Sequence, residues 1–333
     1  MSRLGDWIGG LPKAELHVHL EGTITKPTLE RIVRRNGMEF PAGDPFHCVD
    51  FASFLEAFVR VVRCLQQPVD FVEIVGDYLK RAADQGVKHV ELMFSPATQR
   101  IYAPGLDLEA MIAAVHGVCA QADAAHGISS LLIVDVVRNL GEEAAGADLE
   151  LALRCRKYGV AGIGLGGDER RFPAAPYAPI FQLARSEGLR RTAHAGEAAG
   201  AQSIVDAVTL LHAERIGHGV AAAGRPDVIA LLKDRAVAID ACITSNSITG
   251  AVAPTDAHPL DQFLRSGLTA TLSTDDPTFF RTSVIAEYQA AAGMGLRIDQ
   301  LGEIARNGFR ASFAAPERKL KWLTELDSYL ATA

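Results

Sequence analysis

The chain has 333 residues, of which 48% are hydrophobic and 22% charged, with 30 Gly and 15 Pro. This is the composition of a globular protein, and the length suits one large barrel or two medium domains, so a largely disordered chain is excluded. Acidic residues outnumber basic residues by 40 to 33. The net negative charge repels phosphate backbones and argues against a nucleic-acid partner.

The five cysteines show neither a C-x-x-C spacing nor the density of a secreted disulfide scaffold. Their odd number in a large chain favours reduced thiols, as in the cytoplasm. The N-terminal segment lacks the basic stretch and apolar run of a signal peptide, and no uncharged apolar span of roughly 18 residues occurs elsewhere. We therefore expect a cytoplasmic protein without a membrane-spanning segment.

Short β-type runs alternate along the chain with segments of helical period, which is typical of parallel strands joined by crossover helices. Eight such units predict a closed (β/α)8 TIM barrel, with a doubly wound open sheet as the second choice. The predicted strands are Ala14–Glu21, Val87–Ser95, Ser129–Arg138, Val160–Gly167, Arg190–Glu197, Glu214–Gly219, Val237–Asn246 and Thr269–Asp276. The predicted crossover helices are Leu106–His126, Leu149–Tyr158, Pro176–Glu187, Ala201–His212, Pro226–Lys233 and His258–Ser266.

The gap between the first and second strands is long enough for three helices, which we interpret as a helical insertion. They are predicted at Thr28–Asn36, Phe51–Gln66 and Pro68–Gln85. The middle helix carries a broad apolar stripe, which either packs against the outer helices or covers the catalytic mouth of the barrel.

Extra helices are also predicted after the eighth strand, where they would close the barrel. They are Val284–Met294, Ile298–Phe309 and Pro316–Leu330. No internal repeat or linker is visible in the sequence, so residues 1–333 are predicted to form a single domain.

Histidines and acidic residues collect at the carboxyl ends of several predicted strands, which is where a barrel builds its active site. His17 and His19 are two apart on the first strand, so both side chains point into the barrel and can hold one metal ion. The fifth strand ends with His194 and Glu197, and the sixth ends with His218, whose flanking glycines leave space for a ligand.

The eighth strand ends in two adjacent acidic residues, Asp275 and Asp276. Neighbouring carboxylates repel each other unless a cation or a proton lies between them. Three imidazoles and one carboxylate form a shell that suits Zn²⁺. The sequence therefore predicts a zinc site at the carboxyl-terminal mouth of the barrel.

The other histidines are interpreted as structural or surface residues: His47, His89, His116, His126 and His212. His258 is assigned to the start of a helix rather than to the metal. Cys242 is predicted to be a small core residue in the seventh strand, with Thr244–Asn246 beyond it at the functional rim.

The motifs PKAELHVHLEG, HAGE, RIGHG and STDDP, in this order, resemble those of the adenosine deaminase family. The resemblance covers nearly the whole chain and includes GLGGDE at Gly164–Glu169, TSN at Thr244–Asn246 and FSP at Phe94–Pro96. It implies a (β/α)8 amidohydrolase with one zinc ion per chain. It also implies a reaction in which the 6-amino group of an adenine ring, as in a purine nucleoside or base, is hydrolysed to release ammonia.

Carried over position by position, the resemblance implies four metal ligands: His17, His19, His194 and Asp275. Glu197 is similar to the residue that gives a proton to the ring. His218 is similar to the residue that orients and activates the attacking water, a task that Asp275 can share. Burial must raise the pKa of Glu197 if it is to act as an acid near neutral pH.

Three further residues resemble substrate-binding positions of the family. The backbone N–H of Gly167 is expected to meet purine N3, and Asp276 to meet N7. Glu21 stands where adenosine deaminases usually have an aspartate that reaches the ribose 5′-hydroxyl, and adenine deaminases also have glutamate there. Its longer side chain leaves less room for a sugar.

Other departures concern Met93, where many relatives have arginine, and Gly164, where the typical DLAGDE motif has an acid. The opening IGGLPKAELHVH, the run Asp50–Asp70 and GLGG also resemble deaminases of 6-aminodeoxyfutalosine, a nucleoside of menaquinone biosynthesis. We therefore expect adenosine as the first candidate substrate, with 6-aminodeoxyfutalosine and free adenine as alternatives. Phe54, Phe58, Leu65 and Phe94 are predicted to line the pocket.

Three rival interpretations remain. A two-metal hydrolase with the same H-x-H start would carry a carboxylated lysine on the fourth strand, but VAGIGLGG has none. A non-catalytic binding protein has no need of Glu197 and His218 beside the metal shell. A structural zinc site would have a closed shell, and the protein would unfold on chelation.

Overall fold

The structure is a computed structural model that describes residues 3–253 and 258–332. In this part of the chain, eight parallel strands lie side by side in chain order. They are β1 (Lys13–His19), β2 (Val87–Phe94), β3 (Ser129–Val137), β4 (Val160–Gly166), β5 (Arg190–Ala195), β6 (Arg215–His218), β7 (Ala238–Ala241) and β8 (Ala270–Leu272).

The sheet closes on itself between β8 and β1. The His19 amide donates to the Asp275 carbonyl at 2.9 Å, and the Asp275 amide donates to the His17 carbonyl at 3.1 Å. Two more β1 amides, those of Leu16 and His17, donate to the Ser273 hydroxyl at 3.1 Å. The fold is therefore the predicted (β/α)8 TIM barrel.

Helices surround the barrel in the described residues. They are α1 (Arg3–Gly10), α2 (Lys26–Arg35), α3 (Phe51–Val62), α4 (Pro68–Ala83), α5 (Pro96–Tyr102), α6 (Leu108–His126), α7 (Gly141–Arg154), α8 (Ala178–Ser186), α9 (Ala201–Thr209), α10 (Pro226–Asp234), α11 (Ile243–Ile248), α12 (Leu260–Arg265), α13 (Val284–Gly293), α14 (Ile298–Ala311) and α15 (Pro316–Ala331). The main core lies between this layer and the outward side chains of the strands, such as Leu16 and Val18.

Helices α2, α3 and α4 lie between β1 and β2. Helix α3 begins where a capping box satisfies its first amides: the Ser53 amide donates to Asp50 Oδ1 at 2.8 Å, and the Ser53 hydroxyl accepts from the Asp50 amide at 3.1 Å. This cap explains why the helix starts at Phe51, as predicted. It ends at Val62, before the predicted Gln66.

The prediction for the seventh strand was wrong at its carboxyl end. The strand ends at Ala241, and the TSN segment predicted to continue it lies in α11 instead. Cys242 is buried just before that helix rather than in mid-strand. Polar contacts stabilise the turn, since the Thr244 amide donates to Glu287 Oε2 at 3.3 Å.

Other helix boundaries also differ from the prediction. Helix α7 begins at Gly141 rather than Leu149, and α9 ends at Thr209, which leaves His212 outside it. Helices α1 and α5 were not predicted. Both are short, so their hydrophobic period covers only about two turns.

An ion-pair cluster lies inside the barrel beneath the carboxyl-terminal rim. Arg215 Nη2 lies 2.6 Å from Glu91 Oε2, and Arg215 Nε lies 2.9 Å from Asp240 Oδ2. All three side chains are at most 1% exposed, and they join β2, β6 and β7. The guanidinium also donates to the Leu16 carbonyl at 3.2 Å, which adds β1 to the network.

Replacing Arg215 with methionine is expected to destabilise the fold by about 3–5 kcal/mol, because two buried carboxylates lose their counterion. Guanidinium chloride unfolding, followed by circular dichroism, measures this change. The control is Arg225→Met, which removes only an exposed pair with Asp227 and should leave the unfolding midpoint unchanged. Equal midpoints for both variants would contradict a structural role for the buried cluster.

Candidate active site

Four side chains converge at the carboxyl-terminal mouth of the barrel: His17, His19, His194 and Asp275. One ligand atom from each lies within 4.8 Å of all the others. His19 Nε2 lies 3.2 Å from His194 Nε2, and Asp275 Oδ1 lies 3.3 Å from His19 Nε2. The residues come from β1, β5 and the segment after β8, so the barrel itself brings them together.

Two observations show that this group fits a metal ion. Both ring nitrogens of His17 are buried and form no hydrogen bond to the described residues, which leaves a nitrogen lone pair free for a cation. His194 Nδ1 lies 3.3 Å from the Leu165 carbonyl, so it can donate there and turn Nε2 toward the cluster. The donor set of imidazoles and one carboxylate is one that zinc accepts.

The charge states of three of the four residues suit metal binding, whereas Asp276 and Asp275 raise the pKa of His19 to about 10, so a metal ion must displace a proton from this ring. Burial lowers the pKa of His17 and of His194, which keeps both imidazoles neutral. Burial alone would raise the pKa of Asp275, but its contacts with His17 and His19 hold that pKa well below its ordinary value. Neutral imidazoles and an ionised carboxylate are the forms that bind a metal.

Backbone strain and a glycine shape the cluster. His218 and Asp275 both have φ of +64°, an uncommon conformation for residues with a side chain and one that is often found at functional sites. A Cβ at Gly217 would lie 2.4 Å from His17 Cε1. From the sequence, the glycines beside His218 were interpreted as leaving room for a ligand. At Gly217, the His17 ring occupies that room instead.

Glu197 and His218 lie next to the cluster. His218 Nε2 is 3.7 Å from Glu197 Oε2, and the Thr249 hydroxyl donates to Glu197 Oε1 at 3.2 Å. Burial, reinforced by the nearby Asp275, raises the pKa of Glu197. A carboxyl group in this environment can keep its proton near neutral pH and act as an acid.

The Glu169 carboxylate fixes the loop that carries Glu197. It accepts hydrogen bonds from four consecutive backbone amides, those of residues 196–199, with nitrogen–oxygen distances of 3.1, 2.7 and 2.9 Å for Glu197, Ala198 and Ala199. Sequence analysis did not assign this role to Glu169. The only available signal was its place at the end of GLGGDE.

Of the three residues matched to substrate binding, Gly167 and Asp276 line the same mouth, and Glu21 contacts Ser95, which also lines it. Gly167 has φ of +94°, and a Cβ there would lie 2.4 Å from Asn139 Oδ1, so a side chain does not fit. Asp276 Oδ1 is buried without a hydrogen-bond partner in the described residues. Glu21 Oε1 accepts from the Ser95 amide at 3.4 Å, while its Oε2 likewise has no such partner.

The two sequence departures at Met93 and Gly164 lie together in space. A Cβ at Gly164 would lie 3.2 Å from Met93 Cε and only 2.3 Å from Asp135 Oδ1. Asp135 is 2% exposed, and burial raises its pKa to about 7. The structure thus adds Asp135, which sequence analysis missed, to the wall of the mouth.

A cavity of about 330 Å³ opens above the cluster. This size falls within the ~300–1,000 Å³ of small-molecule sites. Helix α3 contributes one apolar wall, and none of the lining residues that the structure describes is Lys or Arg. Phe54 and Phe58 line the cavity as predicted, whereas Leu65 and Phe94 do not; Phe94 packs against Phe71 instead.

The histidines interpreted as structural lie away from the cluster. His89 is buried, with its ring stacked on Trp322 at 5.0 Å and Nδ1 2.7 Å from the Ser129 hydroxyl. His258 precedes α12 and accepts from the Leu260 amide, which fits the predicted position near a helix start. Among the described residues, no helix is both long and apolar enough to span a bilayer.

The fold is a (β/α)8 barrel, and its mouth holds a buried His/Asp cluster beside a carboxyl group of raised pKa. This combination is typical of the class of metal-dependent hydrolases. The family model described as adenosine deaminase matches residues 12–329. The chain belongs to the adenosine deaminase family. It is a hydrolase acting on C–N bonds that deaminates an adenine-type substrate.

Two relatives carry different substrate names. The chain is 35% identical to an adenine deaminase of Cupriavidus pinatubonensis, covering 98% of this chain and 94% of the relative. It is 34% identical to an aminodeoxyfutalosine deaminase of Streptomyces avermitilis, again covering 98% of this chain and 94% of the relative. The comparisons therefore agree on the reaction type.

Solved structures agree with the fold. An adenine deaminase from Arthrobacter aurescens superposes with a TM-score of 0.90 at 33% identity, covering 96% of this chain and 99% of that chain. An amidohydrolase from Burkholderia ambifaria with bound zinc superposes with a TM-score of 0.91 at 25% identity, covering 100% of this chain and 95% of that chain.

Proposed function

We propose that the protein is a zinc-dependent aminohydrolase that converts adenosine, or a close analogue, to the 6-oxo product and ammonia. One Zn²⁺ per chain would be held by His17, His19, His194 and Asp275. The observation that carries the proposal is the buried cluster of three imidazoles and one carboxylate, which opens onto a cavity of ligand size. Bound there, zinc would supply Lewis-acid chemistry that makes water a nucleophile at neutral pH.

The residues beside the cluster would have separate roles in proton transfer and in orienting the water. Glu197, whose pKa is raised by burial, would donate a proton to ring nitrogen N1 while water attacks C6. His218 Nε2 lies 3.7 Å from Glu197 Oε2, and His218 would orient the attacking water. Asp275 accepts from the Ser245 hydroxyl at 2.6 Å, which fixes one carboxylate oxygen and leaves the other facing the cluster.

Polar groups that are free to form further hydrogen bonds would position the purine. The unpartnered Asp276 Oδ1 would bind N7, and the Gly167 amide would bind N3. Glu21 and Asp135 are buried carboxyl groups, of which Asp135 lines the cavity, and both would lie near the sugar end of a bound nucleoside. Because the described lining residues include several acidic groups and neither Lys nor Arg, an uncharged nucleoside suits the cavity better than a nucleotide.

A larger nucleoside, aminodeoxyfutalosine, is the second candidate. A second cavity of about 470 Å³ adjoins the first and shares Phe51, Glu197 and Thr249 with it. Arg170 and Arg171 line this cavity together with Asp50, Asp168 and Glu197, so it can accept an extended polar substituent. Free adenine is the third candidate, because Glu21 takes up room at the sugar end.

A substrate panel tests the proposal. The zinc-loaded enzyme is assayed for ammonia release with adenosine, 2′-deoxyadenosine, 6-aminodeoxyfutalosine, methylthioadenosine and adenine, and kcat/KM values are compared. We expect the highest value for a nucleoside. A clear preference for free adenine would contradict the nucleoside assignment, and no turnover of any of the five would contradict the proposed function.

Shortening Glu21 to aspartate is expected to raise the ratio of kcat/KM for adenosine over that for adenine about tenfold. The change frees the space of one methylene group at the sugar end, which is worth ~1–3 kcal/mol in discrimination. The same panel measures the ratio. Glu39→Asp, at an exposed position outside the cavity, is the control and should leave the ratio unchanged. An unchanged ratio in the Glu21 variant would show that Glu21 does not set the substrate size.

A further inference from the structure

A chain of buried hydrogen bonds leads from α12 to the active site. The Leu260 amide lies 3.3 Å from His258 Nδ1, and His258 Nε2 lies 3.1 Å from Asn246 Oδ1. Asn246 Nδ2 in turn lies 3.0 Å from His218 Nδ1. The three side chains are at most 6% exposed, so water does not compete for these contacts.

The direction of every bond in this chain follows from its first member. A backbone amide can only donate, so His258 Nδ1 accepts and its ring proton lies on Nε2. His258 Nε2–H then donates to the Asn246 amide oxygen, which turns the Asn246 NH₂ group toward His218. Since that NH₂ group can only donate, His218 Nδ1 accepts and neutral His218 carries its proton on Nε2.

Burial of His258 agrees with this direction. Its pKa is lowered to about 4, with desolvation as the main cause, so the ring is neutral at pH 7 and can accept at Nδ1. Neither Asn246 nor His258 lines the cavity above the cluster. The side chain of Asn246 contacts the site through its hydrogen bond to His218.

We propose that Asn246 and His258 are positioning residues that hold His218 in the tautomer with its proton on Nε2. His218 Nε2, which lies 3.7 Å from Glu197 Oε2, then faces the site as a hydrogen-bond donor. In the proposed deamination, on which this role rests, His218 orients the attacking water by donating to it. The proton that the water loses would go to Asp275, whose Oδ1 faces the cluster, because His218 Nε2 has no free lone pair.

The tautomer can be measured directly in the zinc-loaded enzyme. Histidine ring ¹⁵N signals distinguish a protonated from an unprotonated nitrogen, and the His218 signals are assigned by their loss in His218→Gln. We expect a protonated Nε2 and an unprotonated Nδ1 for wild-type His218 at pH 7. A proton on Nδ1 would overturn the proposal, and this measurement does not depend on how any Asn246 variant folds.

Variants test the link to catalysis. Asn246→Asp offers a carboxylate that accepts from both histidines, so the His218 proton should move to Nδ1. For Asn246→Asp and Asn246→Ala, kcat should fall about 10- to 100-fold with little change in KM, as is usual for groups that orient an active-site ligand. Asn36→Ala, a partly buried asparagine outside the cavity, should keep the wild-type kcat.

His258 offers a conservative rescue. His258→Gln can still accept from the Leu260 amide and donate to Asn246, so it should retain more kcat than His258→Ala. Equal loss in both variants, or wild-type kcat in Asn246→Ala, would overturn the positioning role. An inactive wild type with the proton on Nε2 would overturn the proposed function but support the tautomer, so the two failures are distinguishable.

Discussion

Replacing Glu197 with glutamine is expected to lower kcat by ~10²–10⁴-fold, the usual contribution of a positioned general acid. The amide keeps the size of the side chain and its hydrogen bond with Thr249, but it has no acidic proton for the ring nitrogen. The assay is the change in absorbance when the best substrate of the panel is deaminated. Zinc content, measured in parallel, should equal that of the wild type.

The control for this variant is Glu187→Gln, which changes the same residue type at an exposed site near the end of α8. It should keep the wild-type kcat. Wild-type ammonia release by Glu197→Gln, with the same zinc content, would rule out Glu197 as the ring acid. The reaction would then need another proton donor.

Removing the metal ion by dialysis against a chelator is expected to lower kcat by at least ~10³-fold. A catalytic metal ion stabilises the transition state by several kcal/mol, and each ~1.4 kcal/mol corresponds to a factor of ten in rate. Added Zn²⁺ should restore activity. The barrel should remain folded by circular dichroism, because its hydrophobic core does not include the cluster and the β1–β8 closure uses the backbone of the cluster residues rather than their metal-binding side chains. Unfolding on chelation would instead indicate a structural site.

A variant of one proposed metal-binding residue separates the loss of the metal ion from other effects of removing a histidine. His194→Ala should contain less zinc and have correspondingly less activity. His116→Ala, at an exposed position on α6, should match the wild type in both respects. One equivalent of zinc in an inactive His194→Ala protein would contradict its assignment as a ligand.

The barrel could be predicted because its information is local. Each strand is a short β-type run bounded by turn residues, and the motif histidines sit at strand ends, where parallel strands bring them to one rim. The seventh strand was predicted too long because Thr244–Asn246 continue a β-type run, yet contacts with distant residues such as Glu287 draw the segment into α11.

The remaining contacts of the candidate site join residues that are far apart in the sequence, so they could not be predicted from it. Glu169 holds the Glu197 loop across 27 to 30 positions of sequence separation. Asp135 lies on β3, a strand whose end carries none of the recognised motifs. The roles inferred for Asn246 and His258 follow from hydrogen-bond direction, which requires coordinates. The metal, proton-transfer and purine assignments stay predictions for the experiments above.

The overlap between Gly164 and Asp135 has a consequence for protein engineering. A side chain at position 164 would overlap the Asp135 carboxylate, so an acidic residue there requires Asp135 to move or to be shortened in the same variant. Changes at the two positions are therefore expected to be non-additive in stability, with Met93 as the third contact.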